Sequence, residues 1–350
     1  MHTINNFGPI TLFGSGETLP ASGAAYEYTA KQIEGNPGIS VVETPAGFQP
    51  NSEIVARKVA QFITSRLQNH HPRVQLIPAR KNEGELSTNN ADLLEPMLSS
   101  NWIFLGPGSP TYAVRNLQDS LLLTYLYAMH RAGCALTLSS AGVLAMSALT
   151  LPVYEIYKVG ENLHWVNGLN FFHQFGLDIV LIPHWNNNSG GDELDTSHCF
   201  MGHDRFNQLK SLIPNNLPII GIDEQTALTI TFQGNVEWKI TGNGNLTILH
   251  EKKEYYLPEG VYDPSSFGFD FLLPKTPTKE IQALVDKIEA NREKAQENHE
   301  PPVEVIRLAE IRRFARSRND WKTADASRTK IVDLGWEILD TPDGYRLNKI

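Results

Sequence analysis

Residues 136–142 read Leu136-Thr137-Leu138-Ser139-Ser140-Ala141-Gly142. An apolar run from Ala135 to Leu138 enters a turn of small residues, and a helical pattern, Val143 to Ala148, follows at once. A strand that turns sharply into a helix holds a side chain at the top of a sheet. The backbone N–H groups of the new helix point at whatever sits there. Ser140, with Ala141-Gly142 directly behind it, is therefore a candidate nucleophile. The plainer reading of such a serine is a helix N-cap.

Working outward, the same alternation recurs. Short apolar runs at Pro9–Phe13, Ile39–Val42, Val74–Ile77 and Trp102–Leu105 alternate with helical patterns. Those patterns run through Tyr26 and Ile33, from Glu53 to Leu67, from Ala91 to Leu98 and from Leu117 to Ala132. Strands alternating with helices predict an α/β domain, a mostly parallel sheet flanked by helices, because each crossover helix must bury its apolar face on the sheet. Leu177–Ile182 and Ile219–Ile222 read as further strands. From Ala227 to Leu249 short β runs are broken by Gln233-Gly234-Asn235 and Gly242-Asn243-Gly244, which predicts a meander at one edge of the sheet.

Two more segments carry chemistry. Gly106-Pro107-Gly108-Ser109-Pro110-Thr111-Tyr112 ends the fourth apolar run in glycine-rich backbone that can offer N–H groups to an anion. Val180-Leu181-Ile182-Pro183-His184 puts a histidine just past a strand end, where open α/β sheets place their sites. Glu155 is a carboxylate among apolar residues and needs a partner, which an imidazole would supply.

The ordered set resembles the serine peptidase family of cyanophycinase and dipeptidase E. It comprises Gly14-Ser15-Gly16-Glu17, Gly106 to Tyr112, Ser140-Ala141-Gly142, Gly168 to His184, and Gly221-Ile222-Asp223-Glu224-Gln225-Thr226-Ala227-Leu228. The resemblance covers about the first 250 residues and implies a class I glutamine amidotransferase-like, flavodoxin-like three-layer fold. It implies that Ser140 attacks a carbonyl, His184 takes its proton and Glu155 orients His184, with Asp223 or Glu224 as the reserve acid. Ala141 and the Gly106–Gly108 turn would form the oxyanion hole. Pro107 has no N–H, so within the turn Gly108 or Gly106 must supply the donor. Ser109 and Arg205 would contact substrate. The arginine-rich stretch that follows the histidine in that family is thinned here to Arg205 and Leu209 of His203-Asp204-Arg205-Phe206-Asn207-Gln208-Leu209. An acidic loop with Asp192, Glu193 and Asp195 precedes it. A substrate with a cationic group is the resulting expectation, against a bare surface loop.

The last fifty residues read differently. Pro301–Ile350 holds ten Lys and Arg against eight Asp and Glu, net +2, while the whole chain is −9. Ile306 to Arg318 reads as a basic amphipathic helix with Ile306, Leu308, Ile311 and Phe314 apolar. A second helix from Trp321 to Leu334, capped by Gly335, and two short strands around Asp340-Thr341-Pro342-Asp343-Gly344 complete the unit. Arg312-Arg313-Phe314-Ala315-Arg316, Asn319-Asp320-Trp321, Ala324-Asp325, Arg328 and Leu334-Gly335-Trp336 resemble the extreme C-terminus of cysteinyl-tRNA synthetases. That implies a tRNA- or RNA-docking module, with Arg312, Arg313 and Arg316 on phosphates and Trp321 or Trp336 stacking on a base. The plainer reading is a small domain reused for packing.

The expected organisation is a hydrolase domain over 1–272, a charged helical linker over 273–302 and the synthetase-like domain over 303–350. The expected function is a serine hydrolase cleaving a peptide, isopeptide or related amide bond of a small substrate. The alternative is an inert small-ligand or tRNA-binding protein on the same fold. Net charge −9 argues against a generic polyanion binder. Two cysteines, Cys134 and Cys199, give no disulfide framework. No cofactor is implied, and the spacing of His184, His198, Cys199, His203 and Asp204 matches no common zinc pattern, so no metal is expected. The first six residues lack a leader pattern and no apolar run spans a bilayer, so the expected location is cytoplasmic, without membrane. Expected partners are the small substrate and tRNA or RNA, with a homodimer left open.

Overall fold

The structure, a computed structural model, describes residues 7–349 except 215–216, 273, 275, 300 and 342–343. The leader reading (Met1–Asn6) and the hairpin residues Pro342-Asp343 lie outside the described residues. The chain forms two compact units, Met1–Ile288 and Glu289–Ile350.

In chain order the first unit begins with β1 (Ile10–Phe13), α1 (Gly23–Ala30), β2 (Gly38–Val42), α2 (Ser52–Arg66), β3 (Arg73–Ile77), α3 (Ala91–Leu94), β4 (Trp102–Leu105), α4 (Pro110–Leu117), α5 (Leu121–Arg131), β5 (Ala135–Ser139) and α6 (Ala141–Met146). The small pair β6 (Leu149–Thr150) and β7 (Val166–Asn167) follows, then β8 (Val180–Ile182), a one-turn element α7 (Ser197–Phe200) and α8 (Gly202–Ser211). β9 (Ile219–Ile222), β10 (Thr226–Thr231), β11 (Glu237–Gly242), β12 (Leu246–His250), β13 (Lys253–Leu257) and β14 (Gly260–Tyr262) complete its strands.

The main sheet has the order β14-β11-β10-β1-β5-β4-β2-β3, parallel from β1 through β3 and antiparallel on the β10 side. Every residue of β1, β4 and β5 is buried, as expected for parallel strands covered on both faces. Because strand side chains alternate, Trp102 and Phe104 enter one core with Tyr26 of α1 and Val59 and Ile63 of α2. Ile103 and Leu105 enter the other with Ala113 and Leu117 of α4 and Leu126 of α5. This gives helix, sheet and helix layers.

Two expectations change. The meander does not stay at one edge: β10, β11 and β14 extend the main sheet, whereas β12 crosses to a second sheet, β13-β12-β9-β8. β8 and β9 pair there in parallel rather than joining the main sheet. The helix expected over Leu117–Ala132 is two. Asp119 is left-handed (φ 55°), and Ser120 starts α5 afresh by accepting the Leu123 N–H at 3.1 Å.

α9 (Lys279–His299) leads into the second unit, which holds α10 (Val303–Ser317), α11 (Trp321–Asp333) and the hairpin β15 (Trp336–Thr341) with β16 (Gly344–Lys349). Its core is Val305, Leu308, Ala309, Ile331, Trp336 and Ile338. The buried face of α10 is thus not the expected one, since Ile306, Ile311 and Phe314 are exposed.

Candidate active site

Register brings the site together. Phe13 pairs with Ser139 on one side and Ala227 on the other, so β1 and β5 end level with the start of β10. Ile182 pairs with Gly221, so the residues just past β8 and β9 also emerge side by side. Gly14 ties these ends together. Its N–H donates to Thr226 O at 2.9 Å, and its carbonyl accepts the His184 N–H at 3.1 Å. A Cβ on Gly14 would stand 2.1 Å from Asp223 O, so only glycine fits this crossing.

Ser140 has φ 50° and ψ −107°, a sparsely populated conformation for a residue with a side chain, as a nucleophile turn requires. Its hydroxyl does not cap α6. It lies instead 2.9 Å from His184 Nε2. Ser139 cannot compete for that place, because its hydroxyl donates to Glu17 Oε2 at 2.8 Å.

The acid on His184 is Glu224, not Glu155. His184 Nδ1 stands 2.9 Å from Glu224 Oε1, which also accepts from Asn187 Nδ2 at 2.8 Å. A carboxylate acceptor puts the imidazole proton on Nδ1 and leaves Nε2 free to accept from Ser140. The hydrogen bond from His184, reinforced by that from Asn187, lowers the Glu224 pKa against the opposing effect of burial. Glu155 is engaged elsewhere, with its Oε1 accepting from Thr111 Oγ1 at 2.5 Å. Asp223, the other reserve, turns away and accepts the Asn245 N–H at 2.8 Å. Two strand ends in parallel register account for the pairing. His184 follows Ile182 by two residues and Glu224 follows Gly221 by three, whereas Glu155 lies on a separate turn after β6.

The expected oxyanion residues border the same turn. Ala141 is the first residue of α6, where N–H groups have no intrahelical acceptor. A Cβ on Gly142 would stand 2.7 Å from Leu105 O and 3.4 Å from Gly106 O, so the elbow lies directly on the Leu105–Gly106 backbone. Gly108, at φ 154°, packs on Pro45, whose carbonyl accepts the Ser109 N–H at 2.9 Å. Ser109 caps α4 by accepting the Tyr112 N–H.

Arg205 is not free to clamp an acidic substrate. Its Nε donates to Met201 O at 2.7 Å and its Nη2 to Phe200 O at 3.0 Å. These bonds hold α7, in which His198, Cys199 and Phe200 are all left-handed (φ 52°, 58° and 70°). Three consecutive non-glycine residues in that region are costly, and the tethers compensate: Cys199 N–H to His184 O at 3.0 Å and His198 N–H to Trp185 O at 2.8 Å. The sequence carried no marker of this turn. Asp195 accepts the N–H groups of Ser197 and His203, while Asp192 and Glu193 are exposed. His198 stacks on Phe206 at 4.5 Å, and among the described residues no three His, Cys, Asp or Glu side chains converge as a metal would need. Nor is any helix, among those residues, long and apolar enough to cross a membrane.

In the second unit Arg312 is buried and donates through two nitrogens to Asp340, at 2.6 and 3.0 Å, so it is a structural ion pair rather than a phosphate contact. Trp336 is in the core. Trp321 is exposed with the Arg316 guanidinium 5.5 Å over its ring.

Comparison with known proteins agrees with this division. No family model matches the chain. The fold is shared with the crystal structure of a peptidase from an acI-B1 Actinobacterium, at 22% identity and TM-score 0.59, over 75% of this chain and 98% of that one. The C-terminal segment is similar to cysteine–tRNA ligases. It is 50% identical over 50 residues to that of Methanosarcina mazei and 50% over 48 residues to that of Opitutus terrae. Each match covers 14% of this chain, and the chain spans only 11% and 10% of those two ligases.

Proposed function

We propose that this protein is a serine hydrolase that cleaves a peptide, isopeptide or related amide bond through an acyl-enzyme. The observation that carries this reading is the continuous hydrogen-bonded line Ser140–His184–Glu224. Ser140 Oγ attacks the carbonyl carbon as its proton passes to His184 Nε2. The imidazolium that forms is stabilised by Glu224 through Nδ1. The oxyanion develops beside the Ala141 N–H at the start of α6, with the Gly106–Gly108 backbone on its other side. Collapse expels the amine, which takes the proton from Nε2, and a water deprotonated by His184 then releases the acid. The strained Ser140 backbone and the uncapped hydroxyl support the reading, since a structural N-cap needs neither.

A panel of dipeptides, isopeptides and aminoacyl p-nitroanilides tests it. Turnover by the wild type, a burst equal to the enzyme concentration and loss of both in Ser140→Ala are expected. Turnover that survives Ser140→Ala would overturn the reading.

The second unit we read as a tRNA-docking module. Its similarity to short segments of two cysteine–tRNA ligases and its exposed Arg316–Trp321 pair support that.

A further inference from the structure

Glu155 is the carboxylate that the Ser140–His184–Glu224 line leaves unused. Its Oε1 is held by Thr111, while its Oε2 is shielded from solvent and meets no donor. The neighbouring hydroxyls have no proton to spare. Ser109 Oγ accepts the Tyr112 N–H at 3.2 Å and lies 3.1 Å from Thr111 Oγ1, and because the Thr111 proton is committed to Glu155, Ser109 is the donor in that pair. The Thr111 proton in turn goes to Glu155 Oε1. The donors run one way, from Ser109 to Thr111 to Glu155, and end on a carboxylate with acceptor capacity left over. Among the described residues no lysine, arginine or histidine forms an ion pair with Glu155. A shielded carboxylate oxygen without a donor is unfavourable unless a cation or a donor arrives.

The position of this oxygen matters. Thr111 lies in the first turn of α4, a few residues after the Leu105–Gly106 backbone that meets the Ser140 elbow at Gly142. Val153 and Ile156, which flank Tyr154-Glu155, share a buried cluster with Leu144 of α6, the helix that Ser140 opens. Arg205, the one arginine kept from the clamp pattern, is tied to backbone carbonyls. The site therefore offers an unpaired acid and no free arginine at the clamp position.

We propose that Glu155 is a specificity residue that receives a primary ammonium group of the substrate, so that the enzyme selects cationic amines rather than acidic side chains. The inference rests on the hydrolase reading. It moves the expected cation recognition from the Asp192–Glu193 loop to a carboxylate beside the elbow.

The test is protection of Ser140, in the full-length protein, from a fluorophosphonate probe. The protecting compounds are the twenty amino-acid amides and their Nα-acetyl counterparts. At least one amide with a free ammonium should halve labelling at a concentration tenfold or more below that of its acetylated, uncharged form. In Glu155→Gln, which keeps the acceptor for Thr111, that ratio should fall to near one. Equal protection by charged and acetylated forms, no protection by any charged member, or a ratio unchanged in Glu155→Gln would each overturn the inference. A wild-type ratio near one overturns the inference even if Glu155→Gln does not fold, and Glu155→Asp, which keeps the charge but shortens the reach, should then lower the ratio in its place. A wild type that takes no probe at Ser140 would instead sink the hydrolase reading, and this inference with it.

Discussion

Glu224 Oε1 and His184 Nδ1 stand 2.9 Å apart, at the ends of two strands that pair in parallel register. The carboxylate fixes the tautomer and orientation of a ring whose other nitrogen meets Ser140. Glu224→Gln keeps the shape but removes the charge and allows the wrong tautomer. Turnover and probe labelling should fall about 10³- to 10⁴-fold, the effect known for loss of the acid in such triads. A loss below tenfold would mean that Glu224 does not orient His184.

Gly14→Ala should disturb three segments at once. The added methyl would stand 2.1 Å from Asp223 O, against backbone that cannot easily move. Overpacking of this kind costs about 1–3 kcal/mol. Because the His184 loop hangs on the Gly14 carbonyl, labelling of Ser140 should slow as well as the melting temperature fall. Normal labelling in a destabilised variant would show that the two effects are separable.

The second unit offers a contrast between arginines. Arg312→Ala breaks a buried ion pair whose partner, Asp340, is half exposed, so about 2–3 kcal/mol is expected, below the range for a fully buried pair. That variant should unfold the 289–350 unit, read by loss of its near-ultraviolet signal and of tRNA binding together. Arg316→Ala, at a partly exposed position, should weaken tRNA binding and flatten its salt dependence while the unit stays folded. Intact tRNA affinity in Arg316→Ala would contradict the docking face assigned here.

Acid should weaken the fold in part through His198. Burial, with repulsion from His203, lowers the His198 pKa to about 4. Below its ordinary value of about 6.5 the unfolded chain binds a proton that the folded chain refuses until about pH 4, so stability falls as pH drops through that window. Urea midpoints measured between pH 7 and 4 should decline, and more shallowly in His198→Phe, which keeps the stack on Phe206. Equal slopes in the two proteins would refute the assignment.

Much of this was legible in the sequence, for identifiable reasons. The Ser140 turn and the position of His184 depend on short segments whose strand-to-helix pattern is local. The choice of Glu224 over Glu155 was not local. It follows from β8 pairing with β9 across 36 intervening residues, from Val180↔Ile219 to Ile182↔Gly221, and Glu155 is nearer to His184 in the chain. α10 misled for a different reason. It carries two apolar stripes, and only the fold shows that Val305, Leu308 and Ala309 are buried while Ile311 and Phe314 face out. Arg205 stands where the sequence reading expects a substrate-contacting arginine but is engaged by the left-handed turn at His198–Phe200, which no residue of that turn announces.

Whether Ser140 is an activated nucleophile is decided by site-resolved labelling with a fluorophosphonate. One adduct per chain is expected, mapped by peptide mass to Ser140, abolished in Ser140→Ala and slowed at least a hundredfold in His184→Ala. No adduct under conditions that label a known serine hydrolase, or an adduct on another residue, would contradict it.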